Sequence, residues 1–479
     1  AIFNNLAINK INSSYDSFTI ASGDTIEVLG DLTLTNGKII TGTIAAKGNL
    51  LVDAAFNGGT GSLIINGTSA QTLLINGGML PNFTIDNPQA NLSLAASASA
   101  TMSGTFTLAE GNILFDSGGS LTVSGDYTQS GGNFHGGNST LAFNDDFVIS
   151  SGNFTATSGT ISFSPNTATF LNFRISAGAN FVHNGGTLDF YSTGSSNHNI
   201  DVATSATFNN LTINKINSSN DYFTIASGDI VEVLGDLILT NGRMNTGTIV
   251  AKGDFSVGPA FNGGSGNLQI SGTGVQALDF SGVGGVIPNL LIDNPLATLT
   301  LAANASSTIS GTLTLLHGTI TCSEGTMSLS TAYTQSGGDF IGGNAALTFN
   351  SDFVISGGNF MASSLTTTIT SNSGTYRNFT ISGSGNFIHS NGTLSFSGTN
   401  SSNHTVDVSD TLTLHNLTLN NTNGTNDYFT LVSGDTIEVL GDLILTDGRF
   451  EAGTIEVHGD VSLGAAFNGG SGNLSFIGG

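Results

Sequence analysis

Gly125-Asp126-Tyr127-Thr128-Gln129-Ser130-Gly131-Gly132-Asn133-Phe134 is answered twenty residues later by Asp145-Asp146-Phe147-Val148-Ile149-Ser150-Ser151-Gly152-Asn153-Phe154. One step earlier, Gly104-Thr105-Phe106 and Asn112-Ile113 stand in the same relation to Gly125-Asp126-Tyr127 and Asn133-Phe134, at a shift of 21. Near the start, Gly30-Asp31-Leu32 steps to Gly48-Asn49-Leu50, a shift of 18. The common phrase is Gly-Asp-φ-x-φ-x-x-Gly-x-φ, where φ is apolar, then a turn of small residues, then φ-x-φ again (Leu141 and Phe143, Ile161 and Phe163). Each step therefore holds two or three strands of three to five residues between Gly, Asn, Asp and Ser corners. Alternation of period two buries one side of each strand and wets the other.

Short strands at a fixed period suit a propeller, a sandwich or a solenoid. A propeller blade needs ~40 residues and four strands, twice the length of this step. Twenty residues suit one coil of a parallel β-helix, each strand pairing with its equivalent one coil above. The fold expected is all-β, a β-solenoid of ~20-residue coils. At ~4.8 Å per stacked strand, about 24 coils would rise roughly 115 Å. Phe106, Tyr127 and Phe147 should then form one interior column, and Phe134 and Phe154 another. Corner glycines supply the positive φ that bends between strands require.

A second, longer period contains the first. Ile8–Ser14 returns as Ile213–Ser219 and Phe18–Asp24 as Phe223–Asp229, both shifted by 205. Ala-Phe-Asn-Gly-Gly starts at Ala55, Ala260 and Ala466, while Tyr127–Gly132 returns at Tyr333–Gly338, shifted by 206. This divides the chain into residues 1–205, 206–411 and a partial third copy, 412–479. Because it opens and closes inside a copy, it reads as a window from a longer repetitive protein. An Asn-[Leu/Phe]-x-[Ile/Leu] motif starts at Asn5, Asn82, Asn172, Asn210, Asn289, Asn378 and Asn416, and its gaps repeat with the long unit. These asparagines read as corner residues tolerating the left-handed region. Asn87-Pro88 and Asn294-Pro295 read as turns.

Composition narrows the function. The 479 residues carry 9 Lys and Arg against 33 Asp and Glu, a net charge of −24, with 66 Gly, 31 Phe, no Trp and one Cys. Nine cations cannot make a phosphate-tracking stripe, which excludes a basic nucleic-acid binder. One Cys cannot build a disulfide scaffold. Apolar alternation throughout argues against disorder, and the scarcity of Lys, Glu, Gln and Arg argues against helices. No apolar run nears the ~18 residues of a membrane span.

Recurring acids are the candidate site: Asp24, Glu27 and Asp31, then Asp229, Glu232 and Asp236, then Asp435, Glu438 and Asp442, each set followed by a base (Lys38, Arg243, Arg449). Inward Ile26, Val28, Leu32 and Leu34 put Glu27 and Asp31 outward. The set reads as a solvated strand face with weak ion pairs, as a weak Ca²⁺ site, or as an acid–base pair. The Ca²⁺ nonapeptide Gly-Gly-x-Gly-x-Asp is absent. His183 matches His389 and His198 matches His404. None has metal-ligand spacing, so all read as surface or corner residues. His458 stands where Lys47 and Lys252 stand, an exposed position open to polar exchange. Cys322 reads as a lone buried thiol rather than a nucleophile. No nucleophile elbow, Walker A or dinucleotide fingerprint occurs. Asn-x-Ser/Thr sequons, among them Asn12, Asn66, Asn138, Asn217, Asn304, Asn391 and Asn403, are numerous in a chain this rich in those residues.

Gly-Asp-Leu-x-Leu-Thr-Asn-Gly from Gly30 and Gly235, Phe-Asn-Asn-Leu-x-Ile from Phe3 and Phe208, and Ser-Gly-Gly-Asn-Phe from Ser130 resemble the β-strand-repeat regions of giant bacterial and archaeal surface proteins. Filamentous-haemagglutinin and autotransporter adhesin solenoids are looser relatives in style. The resemblance spans essentially the whole chain and implies export, a β-helical body and a fibre-forming or adhesive role, with no catalytic residues to carry over. The expectation is a structural extracellular fibre or surface-layer component that self-associates, with divalent cations bridging acidic neighbours. An adhesin stalk in contact with cell surfaces or glycans is the alternative, and a polysaccharide-active β-helix enzyme the minor one.

Overall fold

The computed structural model describes residues 1–10, 16–115, 118–165, 171–192, 197–215, 221–280, 284–301, 306–371, 377–398, 403–421 and 427–477. Among them there is no helix, only strands joined by turns. The strands pair in parallel with strands about 21 residues away, a β-solenoid of about 21 turns. The expected step of ~20 and count of about 24 shift because steps differ in length. The step that stacks Leu32 on Leu50 is short, and the one that brings Phe154 to Phe181 is half as long again. Contacts divide the chain into two units, Ala1–Asp236 with Asn245–Thr248, and Leu237–Met244 with Ile249–Gly479.

Each turn of the first unit has three faces. In one turn these are Phe106–Leu108, Asn112–Leu114 and Ser120–Val123, and each pairs in register with the next turn at Tyr127–Gln129, Asn133–His135 and Thr140–Phe143. Alternate residues point inward because a pleated strand sends successive side chains to opposite sides. Leu121 and Val123 are buried while Thr122 between them is half-buried. Parallel in-register pairing places each residue over its equivalent, so like side chains line up as columns. Phe106, Tyr127 and Phe147 form one column as expected, with Phe83 before them and Phe173 after. Phe134 and Phe154 stack at 4.5 Å between ring centroids, their planes 11° apart.

Tyr rather than Phe at position 127 is workable because the next inward residue is polar. The buried Tyr127 hydroxyl donates to Gln129 Oε1 at 2.9 Å, and Gln129 Nε2 donates to the carbonyls of Gly131 and Asn153. The second unit repeats the device with Tyr333 and Gln335. A buried hydroxyl with no partner would cost about 1–3 kcal/mol, so Tyr-x-Gln works as a pair. The corner beyond it turns on Gly132, at φ 61°, and Gly152, at φ 85°. There an added Cβ would strike the previous turn's backbone.

The asparagine motif corrects the corner reading. None of its members adopts positive φ. In Asn5, Asn82, Asn210, Asn289 and Asn416 the side-chain oxygen accepts the backbone N–H of Asp31, Thr105, Asp236, Thr312 and Asp442 respectively, one turn on, at 2.8 to 3.0 Å. The residue before each of those donors is glycine (Gly30, Gly104, Gly235, Gly311, Gly441), where any Cβ would collide with the asparagine oxygen. The motif and the Gly-Asp phrase are thus two halves of one inter-turn staple. Asn172 and Asn378 reverse it, their N–H groups donating to Asp146 and Asp352. Asn87 and Asn294 do make turns. Each accepts the N–H two residues on, while its amide ties down buried Gln71 or Gln276.

The long repeat does not return to its starting face. In the first unit Thr25–Val28 begins a ladder whose inward column runs from Ile26 through Ile44, Leu63, Phe83, Phe106, Tyr127, Phe147, Phe173 and Ile200 to Ile225. The equivalent strand Ile230–Val233 is not in it; it pairs with Ser205–Phe208, and Phe208 lies 5.7 Å from Phe181 of the neighbouring face. One long copy therefore spans nine full turns and one face more. Within the second unit, Asn267–Ile270 begins a ladder that reaches Phe450. Its equivalent Asn473–Phe476 belongs instead to the ladder of Thr411–Leu414.

Candidate functional site

The acids occupy the outer positions expected of them. Glu27 lies 3.6 Å from Lys47, both about one-third exposed, and Asp31 accepts from the Asn49 amide at 3.1 Å. Asp229 and Asp435 each accept a backbone N–H from the turn below, Val202 and Val408, at 2.9 Å. Asp24 is exposed. Glu438 accepts from Thr413 and pairs with His458 at 3.1 Å, so the exchange of Lys47 for His458 keeps a partner for the glutamate. Asp442 accepts the N–H of Asp460, and Asp236 takes part through its backbone N–H in the staple on Asn210. Glu232 sits between inward Val231 and Val233. Copies one and two lie on different faces of the first unit, so their acids do not form one file. Among the described residues no three His, Cys, Asp or Glu side chains gather as a metal-binding group.

A tighter acidic group lies elsewhere. Burial, then the neighbouring Asp145 and Asp146, raise the proton affinity of Asp126 above the ordinary carboxylate range. No motif marked it. The signal was the stacking of Asp126 on Asp146 that the twenty-residue shift implies.

The histidines divide. His183 and His389 are corner residues, as expected; each Nδ1 accepts the N–H two residues on, at 3.0 Å. His389 also stacks on His415 with centroids 5.9 Å apart. Burial and His415 lower its proton affinity. His198 and His404 are not on the surface. They are 0% and 1% exposed, in the inward phase of His-x-φ-x-Val. His198 Nε2 faces the Phe163 carbonyl, and its Nδ1 lies 2.8 Å from the ammonium of Lys215, itself buried. Burial, then the Lys215 charge, hold His198 down to about 3. Burial lowers Lys215 to about 8 against the opposing pull of Asp221. Cys322 is buried, its thiol 3.5 Å from Met327 Sδ and pushed up by burial to about 12. A thiol held that far above neutrality is protonated and weakly nucleophilic.

The surface also carries an ordered feature that no local motif announces. Asn91, Asn112, Asn133, Asn153 and Asn180 stand one above another, Asn112 half-buried and the others exposed. Each amide donates to the oxygen of the one before at 2.7 to 3.1 Å. The second unit places Thr298, Thr319, Asp339, Asn359 and Asn386 in the corresponding register. A shallow depression beside Asn57, Met79, Ser99 and Thr101 has no titratable lining residue among those described. The sequons at Asn12, Asn217 and Asn304 lie outside the described residues. No described helix is long and apolar enough to cross a membrane.

Comparison with protein-family models, curated proteins and solved structures gives no match. The class the fold defines is the parallel β-solenoid.

Proposed function

We propose that the chain is a structural component of an extracellular fibre or surface layer, its mechanical element being the stacked coils themselves. The observation that carries this reading is the investment in inter-turn bonding. Backbone ladders, Asn–Gly staples and an exposed amide ladder all run along the stack. Solenoid stability of this kind is roughly additive over neighbouring turns. The resemblance of the Gly-Asp-Leu phrases to β-strand repeats of giant surface proteins supports export. An adhesive stalk is the second reading, favoured by the five-membered asparagine ladder, a regular array of hydrogen-bonding groups facing solvent.

Charge makes the structural reading testable. A net −24 over about 21 turns is about one negative charge per turn, that is one per ~4.8 Å of stack, inside the ~8–10 Å Debye length at moderate salt. Neighbouring stacks repel at low salt and are bridged by divalent cations at outward acids such as Asp24, Glu27 and Asp31. Light scattering and electron micrographs should show bundles in millimolar Ca²⁺ or Mg²⁺ and separate particles after chelation. Indifference to both removes cation bridging; saturable binding to a glycan panel without bundling favours the adhesive stalk.

A further inference from the structure

We propose that the cleft between Asn386–Ile388 and Thr411–Leu414, within the second unit, is a binding site for a short neutral oligosaccharide. The site deepens the adhesive-stalk reading and rests on it. The cleft is an interruption in one face of the stack. Among the described strands, Asn386–Ile388 pairs with Asn359–Met361 below and with none above, while Thr411–Leu414 is the edge of a separate sheet that continues upward through Thr436–Val439. The first unit repeats the interruption at a shift of 206, where Asn180–Val182 pairs only downward and Ser205–Phe208 only upward. Poor pairing of the two turns is not the cause. On their other faces the ladders run five and six residues, Arg377–Ile381 on His404–Val408 and Thr393–Gly398 on Asn416–Asn421, against three at Asn359–Met361. The long ladders on either side hold the cleft open.

The cleft measures about 380 Å³, within the ~300–1,000 Å³ usual for ligand sites. Its floor is apolar. Ile381, Val408 and Leu412 point inward yet keep 8, 5 and 5% exposure, and Phe387 is half-buried with its ring stacked 5.6 Å from Phe360. The walls are polar. The Ile388 carbonyl accepts the Ala362 N–H from the turn below. Successive residues of a parallel strand turn their backbone groups to opposite neighbours, so Phe387 points its N–H and C=O into the cleft. The Leu414 carbonyl accepts the Leu440 N–H from the turn above, so Thr411 and Thr413 point theirs in from the other edge. Exposed Asn386, Ser409 and Thr411 add an amide and two hydroxyls. Donors and acceptors over apolar carbon suit a sugar ring, whose hydroxyls do both and whose C–H face packs on carbon. No Lys, Arg, Asp or Glu is among the lining residues, and the chain carries −24, which disfavours an anionic ligand. An added peptide strand fits worse. The edges close where His389 and His415 stack 5.9 Å apart, and the lower edge offers one residue's backbone groups where strand addition needs a ladder. Asp410, between Ser409 and Thr411, holds φ 76°, a strained geometry of the kind that gathers at ligand clamps. In the first unit Ala177, Ala179 and Ala203 replace Gly383, Gly385 and Ser409, adding methyl groups and removing a hydroxyl, so the second unit holds the better site.

The test titrates the whole chain with neutral hexose and N-acetylhexosamine oligosaccharides, with a sulfated glycan and an extended Thr/Val peptide as comparators. Calorimetry should show saturable binding of at least one neutral sugar, and amide exchange should slow at Phe387, Thr411 and Thr413. Ser409→Trp fills the cleft from an exposed position and should weaken that binding at least tenfold while melting stays as in wild type. Asn386→Ala removes one hydrogen-bonding side chain and should weaken it by about threefold to tenfold. Binding that survives Ser409→Trp, with no slowing at those three amides, overturns this site and leaves the adhesive reading standing. No binding of any neutral sugar by wild type overturns both. Tighter binding of the sulfated glycan or of the peptide at the same amides overturns the choice of ligand.

Discussion

Two stretches of the first unit share one backbone plan and fill it differently. Over the early turns the column that starts at Ile26 continues through Ile44 and Leu63. Higher up the same ladder it becomes Phe83, Phe106, Tyr127, Phe147 and Phe173, all fully buried. The ladder accepts either filling because register is fixed by backbone pairing, corner glycines and asparagine staples. What the aromatic stretch adds is contact along the axis. Parallel strands sit ~4.8 Å apart, near the spacing at which rings stack, and Tyr127–Phe147 and Phe147–Phe173 pack at 5.2 and 5.1 Å.

The largest effect should come from cutting into that contact. Phe147 touches five rings, those of Tyr127, Phe143, Phe154, Phe163 and Phe173. Phe147→Ala should cost about 3–5 kcal/mol and Leu63→Ala, in the aliphatic stretch, less than that within its usual ~2–5 kcal/mol range. Amide exchange resolved by turn, rather than one melting midpoint, is the right measure for a repeat array. Equal losses at both sites would mean that ring stacking adds nothing beyond buried area.

Above the aromatic stretch the filling turns polar at His198, and there stability should depend on pH. Its folded affinity is depressed to about 3 against an ordinary 6.5, so the unfolded chain binds the extra proton first. The stabilisation is complete above pH 6.5 and is lost as pH falls toward 3. Between pH 6.5 and 5 the loss should reach up to about 2 kcal/mol. In His198→Gln the pH slope of exchange in the turn holding Ile200 and Val202 should flatten, while that of the turn holding Leu63 stays as it was. An unchanged slope would mean that His198 titrates normally.

These regions also mark what could be read from residues alone. The period, the three-part alternation and the columns at Phe106 and Phe134 were legible because in-register stacking forces like over like. The burial of His198 and Lys215 was equally written in phase: His198 keeps step with Ile200 and Val202, and Lys215 with Leu211 and Ile213. Polarity had outweighed position. The extra face gained per long copy was hidden, because Gly-Asp-φ looks the same at every corner: Gly30-Asp31-Leu32 opens one face and Gly125-Asp126-Tyr127 another. The acids followed from alternation as outward residues. Their partners, Lys47 for Glu27 and Val202 for Asp229, depend instead on the length of each turn, which varies as the steps from Leu32 to Leu50 and from Phe154 to Phe181 show.

The staple gives a smaller and sharper test. Asn82→Ala removes the acceptor of the Thr105 N–H at a solvent-accessible corner, so water replaces part of it and the cost should be about 1 kcal/mol. Gly104→Ala, with Asn82 kept, drives a methyl into the asparagine oxygen and should cost more than Asn82→Ala. Combining the two relieves the collision, so the double variant should be more stable than Gly104→Ala alone. Simple additivity in that cycle would show that the two residues do not meet.

The exposed asparagine ladder should matter least to stability. Asn133 donates to Asn112 and accepts from Asn153, so Asn133→Ala breaks two amide bonds. Each amide can turn to water at little cost, and the backbone ladder beneath, Asn112 to Asn133 to Asn153, is untouched. A loss of about 0.5–1 kcal/mol is the expectation. Asn133→Asp should cost more than Asn133→Ala at pH 7 and low salt. An aspartate can still accept from Asn153 but can no longer donate to Asn112, and it adds a negative charge to a chain whose net charge is already −24. The second unit already holds Asp339 at this position, where it accepts from Asn359 at 2.8 Å and faces Thr319, not an asparagine, on the turn below. Asn133→Asp together with Asn112→Thr reproduces that arrangement and should recover part of the loss; if it recovers none, the amide ladder is decoration on the backbone ladder rather than a bonded column of its own.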